Sequence, residues 1–285
     1  MFALLALASA VCYGAADFLG GLTSKKASTL AIVVVSQFAG LLLLFLMLPL
    51  LPAASPVRAD YLWGALAGLT GGVGVALLYR ALAVGVMAVV APTTAVCAVI
   101  IPVVAAVALG DRPGSVTIGG IALAVVAIAL VSQSTHPDPT GDDAEQKTGA
   151  RRSAFSLALL SGVVIGFFYL ALARTSSQAG LWPLVAARSV SVALFAAIAL
   201  LTSQSLHVPS GIRTTVVAGG TLDMIANLLY LVATRSGPLS IVVTLASLYP
   251  ASTVLLARVV LHERLSRLQW LGVICAMVAV IMIVR

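Results

Sequence analysis

Ten long apolar stretches follow one another along this chain and leave room for few folds other than a bundle of membrane helices. A helix needs about 20 apolar residues to cross the hydrocarbon core of a bilayer, and each stretch comes close to that length. The stretches are continuous, whereas the strands of a membrane barrel alternate apolar and polar residues. We therefore predict an all-α membrane protein with ten transmembrane helices, at 3–22, 29–50, 61–82, 87–109, 115–133, 154–173, 181–202, 214–234, 239–260 and 268–284.

The composition also indicates a protein that lies in lipid. Hydrophobic residues make up 61% of the 285 residues and charged residues 9%, whereas soluble domains contain about 25% charged residues. The basic residues behind the net charge of +7 are scattered between the apolar stretches, so we expect no nucleic-acid binding, which needs a clustered basic surface. The first stretch has no basic segment before it and contains Tyr13 and Asp17, so we interpret it as a membrane helix and not a signal peptide.

The cysteines and the short motifs suggest neither a metal nor a cofactor. Cys12, Cys97 and Cys275 lie within apolar stretches and are predicted to pack as small hydrophobic side chains. Their spacing fits neither a disulfide framework nor a metal site. The chain has no glycine-rich phosphate loop, so we also expect no ATP-driven activity.

The two halves of the sequence repeat each other around a polar segment, STHPDPTGDDAEQKTGARR, at 134–152. With a shift of 152 residues and no gap, matching residues include Ser9 with Ser161, Gly14 with Gly166, Gly68 with Gly220, and Asp111–Arg112 with Glu263–Arg264. We predict two five-helix repeats, 1–133 and 153–285, joined by a flexible linker at 134–152. Because five is odd, the second repeat is expected to cross the membrane in the opposite sense, which is an architecture of secondary transporters.

The end of the second half carries a family resemblance. The segment LYPASTVLLARVVLHERLSRLQWLGVICAMVAV at 248–280 contains Pro250, Glu263, Arg264, Gln269 and Gly272 in a pattern that resembles ten-helix EamA-type members of the drug/metabolite transporter superfamily. The first half departs from the pattern, because the family's proline would fall at Ala98 and the chain has Pro102 instead. The resemblance implies a basket of helices around a central cavity, with the fifth helix of each half outside, and it implies export of amino acids or other metabolites.

One polar stripe runs along the eighth apolar stretch. Asp223, Asn227 and Tyr230 share one helical face, since they are spaced by four and three residues. A charge at the centre of a bilayer costs about 2.5–3.5 kcal/mol on insertion scales, so such a residue usually faces a partner or a wet cavity. We predict that this stripe lines a cavity; the alternative is that it holds neighbouring helices together.

Two other charges fall inside the predicted spans. Asp17 follows Tyr13 by one helical turn in the first span and is either a cavity residue or an acid at the membrane surface. The resemblance adds that small four-helix members of the superfamily carry an essential acid in their first helix. Arg188 needs an anion, which Asp223 or a solute carboxylate could supply, and a purely structural ion pair remains open.

Prolines predict interrupted helices at matching places in the two halves. Pro92 precedes Thr93 and Thr94 in the fourth span, with Pro102 further on, and in the ninth span Pro250 follows Ser247 and Tyr249. A proline removes one backbone hydrogen bond. Discontinuous helices in corresponding positions of two repeats are a pointer to a transport site.

We interpret the chain as a secondary transporter that moves small amphipathic solutes, such as amino acids, by alternating access. Asp223 or Asp17 is expected to exchange a proton with the solute, and a monomer is expected because the repeat supplies the two-fold symmetry internally. A passive channel or facilitator remains the alternative. An intramembrane aspartyl protease is disfavoured, since the residues before Asp17 and Asp223 lack that class's motifs, and we expect no enzymatic activity.

The orientation in the membrane receives two conflicting indications. One set of loops and helix ends carries most of the lysines and arginines, and the positive-inside rule then places both termini outside the cytoplasm. The resemblance implies instead that both termini are inside. That basic set comprises Lys25, Lys26, Arg80, Lys147, Arg151, Arg152, Arg213, Arg258, Arg264 and Arg267.

Overall fold

The protein is a helical bundle in a computed structural model that describes residues 1–50, 53–85, 87–131, 144–261 and 266–284. No strand occurs over these ranges. Short 3-10 turns lie at Leu48–Leu50 and Ser177–Ala179. The eleven α-helices of the described residues are α1 (Phe2–Ser24), α2 (Thr29–Met47), α3 (Arg58–Val84), α4 (Met87–Ala108), α5 (Ser115–Val131), α6 (Ala144–Ala173), α7 (Trp182–Leu201), α8 (Ser210–Thr234), α9 (Leu239–Ala246), α10 (Tyr249–Leu261) and α11 (Arg267–Val284).

Local signals at several helix starts agree with the observed bounds. The Ser28 hydroxyl accepts a hydrogen bond from the Ala31 amide, at 3.2 Å, and so caps α2. At the start of α3, an Asp60 carboxylate oxygen accepts from the Val57 amide at 2.9 Å. Pro183 lies in the first turn of α7, where the absence of its N–H leaves no helical hydrogen bond unmade.

Among the residues that the structure describes, seven apolar segments are long enough to cross a membrane, and α9 and α10 together supply the last of them, Leu239–Val260. The others lie in α1, α2, α3, α6, α7 and α8. Shorter apolar helices run over Thr93–Ala108, Ser115–Leu130 and Trp270–Ile283. Many large side chains on these helices point outward, for example Leu66 and Ile281, as expected for surfaces that contact lipid.

The packing joins helices of the first half to helices of the second. Helix α1 packs on α8 and α3 packs on α6, while α5 and α11 pack against each other. Two hydrogen bonds fasten the first two pairs. The Ser9 hydroxyl donates to the Ala226 carbonyl, and the Ser161 hydroxyl donates to the Gly74 carbonyl, each at 2.8 Å. In both bonds a small side chain lets two helices approach closely, as is common between membrane helices.

Two details differ from the sequence predictions. Helix α4 continues from Met87 to Ala108 and therefore passes through positions 92 and 102 without the predicted interruption. A membrane helix tolerates proline where neighbouring helices and local adjustments satisfy the freed backbone groups. Helix α6 begins at Ala144, so the last nine residues of the predicted linker are helical and not a flexible connection. Residues 134–143, and the motif residues Glu263 and Arg264, lie outside the described residues.

Candidate functional site

A cavity lies between α1, α2, α3, α6, α7, α8 and α10, and each of these helices contributes residues to its wall. No described residue of α5 or α11 lines it, which agrees with the peripheral place that the family resemblance implies for the fifth helix of each half. Six of the predicted site residues do line it: Tyr13, Asp17, Arg188, Asp223, Asn227 and Tyr249.

A buried ion pair forms the most polar part of the cavity wall. The Arg188 Nη2 donates to the Asp223 Oδ2, and Arg188 is only 8% exposed. The Arg188 Nε also contacts the Met224 Sδ at 3.3 Å. Two opposite charges in one low-dielectric place neutralise each other, and removing either one would leave the other unpaired. Of the two partners considered for Arg188, the structure shows the aspartate.

Asn227 extends the ion pair across to the first helix. Its Nδ2 donates to the Asp223 carbonyl at 2.6 Å and to the Asp223 Oδ2 at 3.3 Å. Its Oδ1 accepts from the Tyr13 hydroxyl at 2.8 Å. Because both ends of the amide are used, the amide is fixed in one orientation, and a continuous chain of polar contacts runs from Arg188 to Tyr13.

Asp17 is the other carboxylate in the cavity wall, and it differs from Asp223 in having no partner. It lies one turn beyond Tyr13 in α1 and is half-buried. It forms no hydrogen bond or ion pair with the residues that the structure describes. With both acids ionised, Asp17, Asp223 and Arg188 leave the cavity with one uncompensated negative charge, and Asp17 carries it.

Another part of the cavity wall is apolar. It consists of Gly68, Gly71, Gly72 and Val75 from α3, faced by Phe168 of α6. The glycines let α7 and α6 approach α3 closely: a Cβ on Gly68 would lie 2.1 Å from the Ala187 carbonyl oxygen, and one on Gly71 would lie 2.8 Å from the Phe168 ring. A solute in this cavity would therefore meet charge on one side and hydrocarbon on the other.

Four predicted site residues lie outside the cavity lining. Tyr230 is fully buried, and its hydroxyl donates to the Tyr169 carbonyl at 3.2 Å. The Thr94 hydroxyl donates to the Ala158 carbonyl at 3.1 Å and so joins α4 to α6. Thr93 lies beside it on α4. Ser247 is buried, and its hydroxyl has no partner among the described residues.

Ser247 marks an interruption of the ninth apolar segment. Helix α9 ends at Ala246, Ser247 and Leu248 form a turn, and α10 begins at Tyr249. Pro250 falls in the first turn of α10, where it needs no amide hydrogen. The second half thus has an interruption directly before its proline, whereas the first half has none in α4.

Several cavity residues went unassigned at the level of sequence. Gln37 is buried and accepts a hydrogen bond from the Ser191 hydroxyl at 3.3 Å, which links α2 to α7. Tyr169 packs its ring against Tyr13, with centroids 6.1 Å apart, and Tyr13 also packs on Tyr249. The repeat could have identified Tyr169, because a shift of 152 places it opposite Asp17.

Known proteins resemble the chain in sequence and in fold. Residues 1–133 and 152–285 match the model of the EamA-like transporter family. No curated protein matches the chain. One solved structure, described only as "Crystal structure of protein", has a TM-score of 0.70 at 15% identity and covers 97% of this chain and 98% of that chain. At that identity the likeness shows the fold alone.

Proposed function

Because this chain belongs to the EamA-like transporter family, we propose that it is a secondary transporter that moves small organic metabolites by alternating access. Family membership and the seven apolar segments make it an integral, multi-pass membrane protein. The family consists of transporters and is not enzymatic in general. The observation that carries the proposal is the central cavity, in which an ion pair and a free carboxylate face an apolar wall.

The proposed architecture is two five-helix repeats, 1–133 and 153–285, that cross the membrane in opposite senses. The seven long segments and the three shorter apolar helices supply ten spans. The bonds from Ser9 to Ala226 and from Ser161 to Gly74 support the repeat, because a shift of 152 converts one bond into the other. Reciprocal contacts of this kind are the mark of a two-fold relation between two bodies.

The proposed solute is amphipathic, with amino acids and related metabolites as the first candidates. Its polar end would lie near Asp17 and Asp223, and its apolar part would lie against Val75 and Phe168. Tightly bound small molecules are generally held this way, by a mostly apolar pocket with a few placed polar groups. The interruption at Ser247–Leu248 supports a transport site nearby, since discontinuous helices often supply such sites.

We assign proton exchange to Asp17 and a structural and orienting role to Asp223. Asp223 already neutralises Arg188 and contacts Asn227, so adding a proton to it would break a buried ion pair. Asp17 has no such commitment among the described residues, and protonation there removes the only unbalanced charge in the cavity. A carboxylate that binds either a proton or a cationic group of the solute, but not both at once, couples proton movement to solute movement.

The experiment is flux of labelled amino acids into proteoliposomes under an imposed pH gradient. We expect saturable, gradient-driven uptake by the wild type, and loss of the gradient-driven part in Asp17→Asn. Asp223→Asn should weaken solute affinity while the remaining flux still responds to the gradient. Thr221→Ala is the matched control on α8, because that exposed hydroxyl bonds only to the Val217 carbonyl of its own helix.

Three outcomes would contradict parts of this proposal. Undiminished gradient-driven flux in Asp17→Asn would remove that residue from coupling. A gradient response lost only in Asp223→Asn would transfer the role to Asp223. Flux that does not saturate, or single-channel current, would favour the passive channel. Comparison of inward and outward gradients tests whether net movement is export.

A further inference from the structure

One end of the bundle is held together by loops from both halves, and two aspartates lie at the junctions. Asp60 and Asp111 belong to the first half, while their partners Ser176 and Ser240 belong to the second. The Asp60 carboxylate also interacts electrostatically with Arg235, between α8 and α9, so the two junctions share one end of the molecule. We call this end the latched end.

Asp60 connects the start of α3 to the loop after α6. Its carboxylate accepts from the Ser176 amide at 2.7 Å and from the Ser176 hydroxyl at 3.0 Å, and Asp60 is only 2% exposed. Next to it, the Ser55 amide donates to the Gln178 carbonyl at 3.0 Å. Hydrogen bonds to a charged acceptor are about twice as strong as neutral ones, so this contact is the firmest link between the two loops.

Asp111 makes the equivalent connection between the loop after α4 and the start of α9. Its Oδ2 accepts from the Ser240 amide at 3.1 Å and from the Ser240 hydroxyl at 2.5 Å. Ser240 lies in the first turn of α9 and is fully buried. A carboxylate supplied by the other half therefore caps this helix, where the helix dipole favours negative charge.

A cluster of tyrosines closes the cavity just inside the latched end. Tyr169 and Tyr230 each lie four residues before the end of a helix that reaches this end, α6 and α8, and their ring centroids are 4.7 Å apart. Tyr13 and Tyr249 complete the cluster from α1 and α10. Three of these rings, Tyr13, Tyr169 and Tyr249, line the cavity, and the Tyr169 and Tyr230 rings lie about one helical turn from the latched end.

The other end of the bundle has a recess between the helices that the structure describes. The residues that line this recess include Ser28, Thr29, Arg80, Phe195, Gln204 and Ser205. In the described loops of this end, 25–28 and 202–209, every side-chain hydrogen bond given by a loop residue is local, such as Ser205 with His207. Within 25–28 and 202–209, therefore, no side-chain hydrogen bond like those of Asp60 and Asp111 joins the two halves.

We propose that Asp60–Ser176 and Asp111–Ser240 form a two-point latch that holds one end of the transporter closed, and that both contacts break when the cavity opens there. This inference rests on the proposed alternating-access function. It assigns the described structure to a state closed at the latched end. Release of the latch requires the first and second halves to separate at these loops.

The test uses a cysteine in the cavity wall as a reporter. Val75→Cys, with the three native cysteines replaced by alanine, is exposed to a membrane-impermeant maleimide in right-side-out and in inside-out vesicles. We expect the reporter protein to be labelled from one side only. Asp60→Asn/Asp111→Asn should gain labelling from the other side, severalfold above the reporter protein.

Three further variants keep the test decisive. Ser176→Ala/Ser240→Ala removes only the two hydroxyl donors and should give a smaller gain in the same direction, even if the aspartate variant folds poorly. Thr175→Ala and Ser236→Ala are matched controls in the same loops, because these hydroxyls bond to carbonyls of their own half, Leu172 and Val232. Both controls should stay labelled from one side.

Unchanged one-sided labelling in folded latch variants would overturn the latch. Labelling of the reporter protein from both sides, or from neither, would contradict the closed and open ends. The measurement needs no solute, so it separates the two proposals: a protein without flux but with latch-dependent labelling would keep the latch and lose the transport function.

Discussion

Helices α3 and α8 occupy places that the proposed repeat relates, yet they build opposite walls of the cavity. A shift of 152 residues aligns Gly71 with Asp223 and Val75 with Asn227 in the sequence, and all four residues line the cavity. In α8 these positions carry an acid and an amide, and in α3 they carry a hydrogen atom and a hydrocarbon side chain. The difference shows that the two halves share their packing but not their chemistry.

The same division holds for the neighbouring helices. Asp17 of α1 corresponds to Tyr169 of α6, and Arg188 of α7 corresponds to Ser36 of α2. Both halves nevertheless retain the small residues that set the helix spacing. A Cβ on Gly68 or on Gly220 would lie 2.1 Å from a backbone carbonyl oxygen of the helix packed against it. In the proposed transporter, shared packing would permit a symmetric movement, and unlike walls would give the solute one orientation.

The largest expected effect comes from breaking the ion pair on the polar wall. Arg188→Met leaves Asp223 buried without its partner and should lower the free energy of unfolding by about 3–5 kcal/mol. Arg188→Met/Asp223→Leu removes both charges and should be less destabilised than the single variant. Denaturant unfolding in detergent measures both. If the double variant loses as much stability as Arg188→Met and Asp223→Leu lose separately, added together, the charges do not act as a pair.

Next in size are the paired glycines. Gly68→Ala and Gly220→Ala should each lower stability by about 1–3 kcal/mol, because the new methyl group meets a backbone carbonyl that cannot turn away. Gly219→Ala is the control, since its Cβ would make only ordinary contacts from 3.5 Å outward. Similar losses in the two variants would support shared packing, and a loss confined to one would refute it.

A smaller effect is expected from making the polar wall resemble the apolar one. Asn227→Val copies Val75 into α8 and leaves the Tyr13 hydroxyl without its acceptor. An unsatisfied buried donor costs about 1–3 kcal/mol, so the free energy of unfolding should fall by about that amount. The apparent solute affinity should also fall, because Asp223 loses the amide contact that orients it. Thr221→Val, elsewhere on α8, should leave affinity unchanged. Unaltered affinity in Asn227→Val would mean that this wall does not orient the solute.

The smallest effect should come from the apolar wall. Gly71→Ala places a methyl group 2.8 Å from the Phe168 ring, and the ring can shift to accommodate it. We expect a change in stability of about 1 kcal/mol or less and a selective loss of flux for the bulkiest solutes. Competition between small and large amino acids measures this selectivity. Equal losses for all sizes would show that α3 does not set the size limit.

The helices were predictable because a helix that crosses a membrane needs a continuous run of apolar residues. The end of α1 at Ser24 and the start of α2 at Thr29 follow from the polar segment TSKKAS between two such runs. Helix α4 was not predictable in the same way, since a proline's effect depends on what neighbouring helices supply to the freed backbone groups. Helix α4 accommodates both of its prolines, and the predicted break is absent between Met87 and Ala108.

The polar site was only partly accessible from sequence. Periodicity singled out Asp223 and Asn227, but it could not separate them from Tyr230, which shares their helical face and packs against Tyr169 instead of lining the cavity. Whether a residue on this face lines the cavity depends on its position along the helix and on which neighbouring helix it contacts. Asp111 was noted only as part of the repeated acid–arginine pair, and Asp60 was not noted at all, because an acid in a polar loop has no unusual sequence context. Only the folded chain brings them to Ser176 and Ser240.

The exchanged serine bonds, Ser9 to Ala226 and Ser161 to Gly74, are what two copies of one half-length polypeptide would form on pairing. In such a pair every substitution would occur twice, so an aspartate at position 223 would bring a second aspartate to the facing wall. Fusing the copies into one gene product removes that obligation. One half could then carry charges while the other stayed apolar, and the two sides of the cavity could differ, which they cannot do in a pair of identical halves.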